Sequence, residues 1–317
     1  MNSILTSLQP VLAQSEHVRI DSIALRNFCT SIIAQKLKAP AFDTKYHFND
    51  GSERTVMYLL LLDSLNFCFW GNPRWEIEYE GERLSGYIAL AAALKRAITE
   101  KSDMLHAEHL ASISASELAH ILRGTGQLQL MPERLDIVRE MASVLLKKYQ
   151  GKAHHLIEAA QGSAMKLVNL LAANFLSFRD EALYKNHKIF FYKRAQIFVA
   201  DLYASFGGQK WGTFRDLHLL TAFADYKLPQ ILRHLGILQY SETLATQIDH
   251  REELRPGSLE EIEIRAHTLW AIELIRRELE SGNYALKTYE IDWLLWNLGQ
   301  EDKYREKPYP RTRTIYY

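Results

Sequence analysis

Apolar residues recur at helical spacing along most of this 317-residue chain. Leu135, Val138, Ala142 and Leu145 follow Pro132, a residue suited to a first helical turn, and predict one helix. Lys147 and Lys148 fall near its end, where cations favour the negative pole, and Gly151 can cap it. Ser114 and Glu117 have capping-box spacing ahead of Leu118, Ile121 and Leu122. Ala164, Leu167, Val168 and Leu171 mark another helix. Ser258, with Glu261 three residues on, opens a long amphipathic stretch to Arg277. A further helix is predicted over 213–223, with the next starting near Pro229. Alternation is scarce. Trp75, Ile77 and Tyr79 alternate with Glu76, Glu78 and Glu80 ahead of Gly81, which predicts a short strand or hairpin arm. Residues 188–192 are a second short extended piece. The reading is mainly α, with a minor β element in the N-terminal third. No repeat, low-complexity tract or composition shift divides the chain, so one compact domain over 1–317 is expected.

Composition narrows the function. Hydrophobic residues make up 47% and charged residues 24%, an ordinary globular balance. Lys+Arg 38 cancel Asp+Glu 38. Proteins that grip duplex nucleic acid use a positive excess to displace counterions, so neutrality argues against direct nucleic-acid binding and suits a small-molecule pocket. Cys29 and Cys68 have neither CxxC nor metal-ligand spacing, and read as reduced core thiols. No apolar run is long enough to span a bilayer, and Met1 to Gln14 lacks the basic start of a signal peptide. These features predict a cytoplasmic protein with no membrane partner, and a monomer is the expected state.

Five segments mix aromatic and charged residues in ways a plain core does not need. His47 lies in Tyr46-His47-Phe48-Asn49, a polar and aromatic loop, where a lone histidine is more often structural than functional. Asp63 to Trp70 holds Phe67, Phe69 and Trp70, either a core cluster or a stacking surface for a base. In Phe190 to Asp201, Lys193 and Arg194 stand at a helix start, where an anion would be welcome. Asp201 falls on an otherwise apolar face of that helix and needs a partner there. Asp225 sits in a turn between two helices, within Phe-Ala-Asp-Tyr-Lys-Leu-Pro-Gln, where its plain role would be an N-cap. Asp292 lies beside indoles in Glu-Ile-Asp-Trp-Leu-Leu-Trp, where it could simply accept from an indole N–H.

Together these stretches resemble the queuosine salvage protein family. The matching pieces are Leu-Asn-Phe-Cys-Phe-Trp (65–70), Phe-Tyr-Lys-Arg-Ala-Gln (191–196) with Asp201, Phe-Ala-Asp-Tyr-Lys-Leu-Pro-Gln (223–230), Glu-Ile-Arg-Ala (263–266) and Arg-Thr-Arg-Thr-Ile-Tyr-Tyr (311–317). The resemblance implies a helical fold similar to helix-hairpin-helix DNA glycosylases. It implies hydrolysis of queuosine 5′-monophosphate to queuine and ribose 5-phosphate, and nothing in the sequence calls for a metal or an organic cofactor. It places the catalytic carboxylate at Asp225. Lys227 stands where the family often has Arg, which keeps the charge and loses the bidentate geometry. The reaction builds positive charge on the ribose, which a carboxylate stabilises. Asp201 and Asp292 would then anchor the base, with His47 as a further polar contact. Phe67, Phe69, Trp70 and Tyr226 would supply stacking surface, and Lys193 and Lys227 would take the 5′-phosphate. Two rivals remain. A DNA-glycosylase-like enzyme would need the Leu-Pro-Gly-x-Gly hairpin, and Tyr226 to Gln230 has no glycine. A non-catalytic helical interaction module would leave Asp201, Asp225 and Asp292 scattered on the surface.

Overall fold

The computed structural model describes residues 3–101 and 103–317; Met1, Asn2 and Ser102 lie outside them. The fold is mainly α, with 56% helix and small two-stranded sheets. Contacts gather the chain into two compact units, each built from separated stretches. The first unit comprises residues 1–40, 180–193 and 218–314, and the second 41–179, 194–217 and 315–317. Among the described residues no helix is long and apolar enough to cross a membrane.

The first unit is organised around the helix Leu259–Ser281, which Ser258 caps by accepting the Glu261 N–H. Helices Ser22–Gln35, Gln9–Gln14, Lys227–His234 and Thr288–Leu298 pack on it. Its sequence reads as amphipathic, yet every residue from Glu261 to Leu269 is buried. The polar members are satisfied partly by other parts of the unit and partly by their own helix. Glu263 accepts the backbone N–H groups of Glu16, His17 and Val18 and the Tyr184 hydroxyl. Thr268 donates to the Ile264 carbonyl, and Arg265 forms an ion pair with Asp180. Charged residues spaced along a helix suggest a solvent face, and the distant partners of Glu263 and Arg265 produce the opposite outcome.

The second unit is centred on the helix Glu53–Ser64, started by Ser52, whose hydroxyl accepts the Arg54 N–H. Thr55 to Ser64 are all buried, against helices Gly86–Glu100, Met131–Tyr149 and Ala153–Ala159. The expected helices at Leu135–Leu145, Leu118–Leu122 and Ala164–Leu171 are present, the second begun by Ser114 accepting the Glu117 N–H. Met131–Tyr149 ends at Gln150 and Gly151, both at positive φ.

Two expectations need correction. The helix predicted over 213–223 is absent. Short 3-10 turns at Lys210–Gly212 and Leu217–Leu219 flank irregular backbone. Its polar groups are committed to longer-range bonds instead. Asp216 accepts the Ser163 hydroxyl and the Ala164 N–H, and the Phe223 N–H donates to Asp292. The β content also extends beyond the N-terminal third. The hairpin Glu76–Tyr79 with Glu82–Ser85 is where the alternation places it, and residues 188–192 fall largely within a second hairpin, Glu181–Tyr184 with His187–Phe190. In addition Val18–Ile20 pairs with Leu238–Tyr240, and Glu253–Leu254 with Arg311–Thr312. Strands of two or three residues are too short for alternation to register, and their partners are distant in sequence.

Candidate functional site

Asp225 stands in the first unit, one residue before the Tyr226 cap of helix Lys227–His234. Its Oδ1 accepts the N–H groups of Lys227 (2.7 Å) and Leu228 (2.9 Å), so it does cap the helix. The carboxyl is held in one orientation by two backbone bonds, and both of them use Oδ1. Burial raises its pKa, opposed first by the Lys193 ammonium and then by the Leu228 and Lys227 amides. Asp292, on helix Thr288–Leu298, is buried, and its Oδ2 accepts the Phe223 N–H at 2.7 Å. Burial lifts this carboxyl well above the carboxylate range. The Phe223 N–H opposes the shift, the Asp225 charge adds to it, and Lys193 opposes it. Asp225, Asp292 and Lys193 therefore form one electrostatic group. Beside them the Tyr226 ring meets the Tyr309 ring at 5.0 Å, and the Lys227 ammonium lies 5.0 Å from the Tyr309 centroid.

The sign of Asp292's pH effect follows directly. Its pKa is raised in the folded state, so the native protein keeps a proton that the unfolded chain loses above about pH 4. Stability from this group is complete below that pH and declines as pH rises toward the folded pKa, by at most about 1.4 kcal/mol per pH unit. Asp292→Asn removes that decline. Urea denaturation of both proteins between pH 4 and 7 is expected to show the variant gaining on wild type as pH rises. Parallel curves would mean that Asp292 is not protonated in the native protein.

The sequence reading passed over what holds this turn. Arg265 Nε donates to the carbonyl of Ala224, the residue before Asp225, at 3.2 Å. The same guanidinium forks onto Asp180, at 2.9 Å to Oδ1 and 2.6 Å to Oδ2. Asp180 Oδ2 accepts the Lys193 N–H at 3.2 Å. The anion expected at that helix start is thus the protein's own Asp180. The Glu-Ile-Arg-Ala motif carried the signal for Arg265, but nothing in sequence connects it with position 180 or 224.

The second unit gathers His47, Tyr87 and Asp201. His47 Nε2 lies 2.9 Å from the Tyr87 oxygen, and the Tyr87 hydroxyl donates to Asp201 Oδ2 at 3.1 Å. Burial pulls His47 down to about 4, so it is neutral near pH 7. With Tyr87 donating to Asp201, its oxygen is left to accept, and we assign the imidazole proton to His47 Nε2 on that ground. Tyr87, on helix Gly86–Glu100, is a residue that the sequence reading missed. Its hydroxyl is pushed well above the usual tyrosine range by burial, with further contributions from Asp201 and Asp63.

The aromatic segment 65–70 belongs to the same unit and is held by two buried arginines. Arg134 donates to the carbonyls of Leu65, Phe67, Cys68 and Gln129. Arg194 donates to the carbonyls of Ser64 and Ser177. Arg194 is therefore not an anion site, because its guanidinium is committed to backbone oxygens. Phe67 carries Arg134 at 4.1 Å and Arg194 at 5.0 Å from its ring centroid. Phe69 stacks on Trp75. Phe67 is thus a packed core ring with cations against it, the core reading rather than an open stacking face. Phe69 and Trp70 are buried as well.

Asp201 and Asp292 are buried, and Asp225 retains partial exposure. Three carboxylates lying on the surface, as an interaction module would require, are not what is observed. Among the described residues no three His, Cys, Asp or Glu side chains gather in a way that could hold a metal ion.

Comparison with known proteins gives a consistent likeness. A family model described as queuosine salvage protein matches residues 46–317. A protein of Sphaerobacter thermophilus called queuosine 5′-phosphate N-glycosylase/hydrolase is 46% identical, covering 99% of this chain and 97% of its own length. A Dictyostelium discoideum protein of the same name is 37% identical over 96% of this chain and 95% of its own. A Mus musculus protein of that name is 37% identical over 84% and 82% respectively.

Proposed function

The chain belongs to the queuosine salvage protein family, and on that premise we propose that it hydrolyses the N-glycosidic bond of queuosine 5′-monophosphate. The products are queuine, for salvage into tRNA modification, and ribose 5-phosphate. The observation that carries this reading is likeness from end to end to relatives that bear the name of that activity. The geometry supplies a chemical means.

In this reaction the C1′–N9 bond breaks with its electron pair going to the base. The oxygen of water bonds to C1′, and one water proton ends on the base nitrogen. Positive charge grows on C1′ and the ring oxygen as the bond stretches. Asp225 is assigned to that charge and to the attacking water. Its capping bonds use Oδ1, so the oxygen offered to the sugar and the water is Oδ2. Such prior fixing suits electrostatic catalysis, because no reorientation is needed as charge develops.

A 7-deazapurine has no N7 to protonate, so the departing base needs another hydrogen-bond donor. Burial raises both first-unit carboxyls, Asp292 well above the usual range, and on that difference we assign the proton to Asp292 and the negative charge to Asp225. Asp292 Oδ2 accepts from Phe223, which leaves Oδ1 as the protonated oxygen. We assign Asp292 as a neutral donor toward the base.

Asp201, oriented by Tyr87 and backed by His47, is assigned to the N–H edge or the side-chain ammonium of the base. Trp70, Phe69 and Tyr226 are assigned to its ring faces, with Phe67 supporting them from the core. Lys193 and Lys227 are assigned to the 5′-phosphate, whose binding energy helps position the sugar. Cys29 and Cys68 are buried, the Cys29 thiol pushed up to about 12, which suits the reducing cytoplasm.

Incubation of purified protein with queuosine 5′-monophosphate, with chromatographic detection of queuine, tests the function. Stoichiometric queuine and ribose 5-phosphate are expected without added metal. A folded protein that releases neither would sink the proposal.

A further inference from the structure

We propose that Arg265, working through Asp180, is a positioning residue that fixes the Asp225 turn and the Lys193 helix start to one buried guanidinium. The inference rests on the hydrolase reading for its kinetic test and on geometry alone for its second test.

Arginine presents its N–H donors in a rigid planar fork. Here two edges of that fork serve different parts of the chain. One edge holds both oxygens of Asp180, and Nε holds the Ala224 carbonyl. The Phe191 ring lies 3.9 Å from the guanidinium carbon and keeps the plane in place. Both members of the ion pair are almost completely buried, at 4% and 3% side-chain exposure. Glu261 Oε1, one turn back on Arg265's own helix, stands 3.5 Å away and adds negative charge.

Asp180 then passes the constraint on. Its side chain accepts the Lys193 N–H, and its carbonyl accepts the N–H groups of Phe191 and Tyr192. Tyr192 has φ 49°, a left-handed conformation unfavourable for a side chain of its size. Asp180 thus grips the strained residue immediately before Lys193. The two elements that Arg265 joins are the ones bearing Asp225 and Lys193, whose charges act on each other. A link made only for stability has no need to end on the residue next to Asp225. Catalysis has such a need, because displacement of a reacting group by about 1 Å costs on the order of 100-fold in rate.

Arg265→Lys keeps the charge and loses the fork. It is expected to lower kcat about 100-fold while KM stays within about threefold, because the loss falls on transition-state geometry. Asp180→Asn keeps the volume and weakens the same link, with about a tenfold loss expected. Glu263→Gln is the control: it sits two residues away on the same helix, is equally buried, and serves the 16–18 backbone instead. Its thermal midpoint is expected to fall while kcat of the folded protein stays within about twofold.

The second readout is hydrogen exchange of the Lys227 and Leu228 amides, which Asp225 holds. Faster exchange is expected in Arg265→Lys and Asp180→Asn, and unchanged exchange in Glu263→Gln. Wild-type kcat and amide protection persisting in either folded Arg265 or Asp180 variant would overturn the positioning role. If wild type itself releases no queuine, the function fails, and amide exchange alone still decides the positioning.

Discussion

Asp225→Asn is expected to lower kcat/KM for queuosine 5′-monophosphate by about 1,000-fold or more, the range for removal of an acid–base or charge-stabilising group. The thermal midpoint should hardly move. Asparagine caps helices about as well as aspartate, and its side-chain oxygen can still accept the Lys227 and Leu228 N–H groups. The substitution therefore removes the negative charge and leaves the cap. This separates the two roles that the turn allows. If Asp225 only caps the helix, the asparagine variant turns over like wild type. Asp225→Ala is the complementary case, since it loses the cap as well, at about 0.5–2 kcal/mol of stability. Steady-state kinetics beside thermal melts of the three proteins checks the assignment. An active asparagine variant would move the chemistry to another group.

Arg134→Met is expected to destabilise the protein by about 3–5 kcal/mol, measured by urea denaturation. Methionine fills much of the same volume and offers no donor. The carbonyls of Leu65, Phe67, Cys68 and Gln129 would each lose a buried bond. The loss is concentrated on one segment, where Cys68 has φ 49° and its N–H is held by the Tyr317 carbonyl. The same segment carries Phe69 and Trp70, so weakened substrate binding should accompany the lost stability. A urea midpoint equal to that of wild type would show that the carbonyls find other donors without cost. Arg134→Lys should recover a small part of the loss, since one ammonium cannot reach around the segment as a planar fork does.

The sequence alone determined the helices whose signals are local. Pro132 near a helix start, Ser114 and Ser258 as caps, and the 135–145 periodicity all act within a turn or two, and the structure has these helices. The hairpin at 76–85 belongs with them, since its alternation and its turn are both local. The motifs also sufficed to recognise the family. They marked Asp225 and Lys193, and the aromatic segment 290–296 marked Asp292, as separate points along the chain.

What tertiary structure decided is every property that depends on a distant partner. Residues 213–223 have helical periodicity but form irregular backbone, because Asp216 is drawn to Ser163 and the Phe223 amide to Asp292. The charges of 261–268 look like a solvent face but are buried, because Asp180, the 16–18 backbone and Tyr184 meet them. Arg194 looks like an anion site but holds carbonyls. Each unit is assembled from stretches that the other interrupts, so no boundary shows in composition along the chain. Side-chain charge and backbone hydrogen bonds are short-ranged in space and blind to sequence separation. A single sequence therefore fixes what neighbours along the chain can satisfy, and the fold selects the partner for everything else.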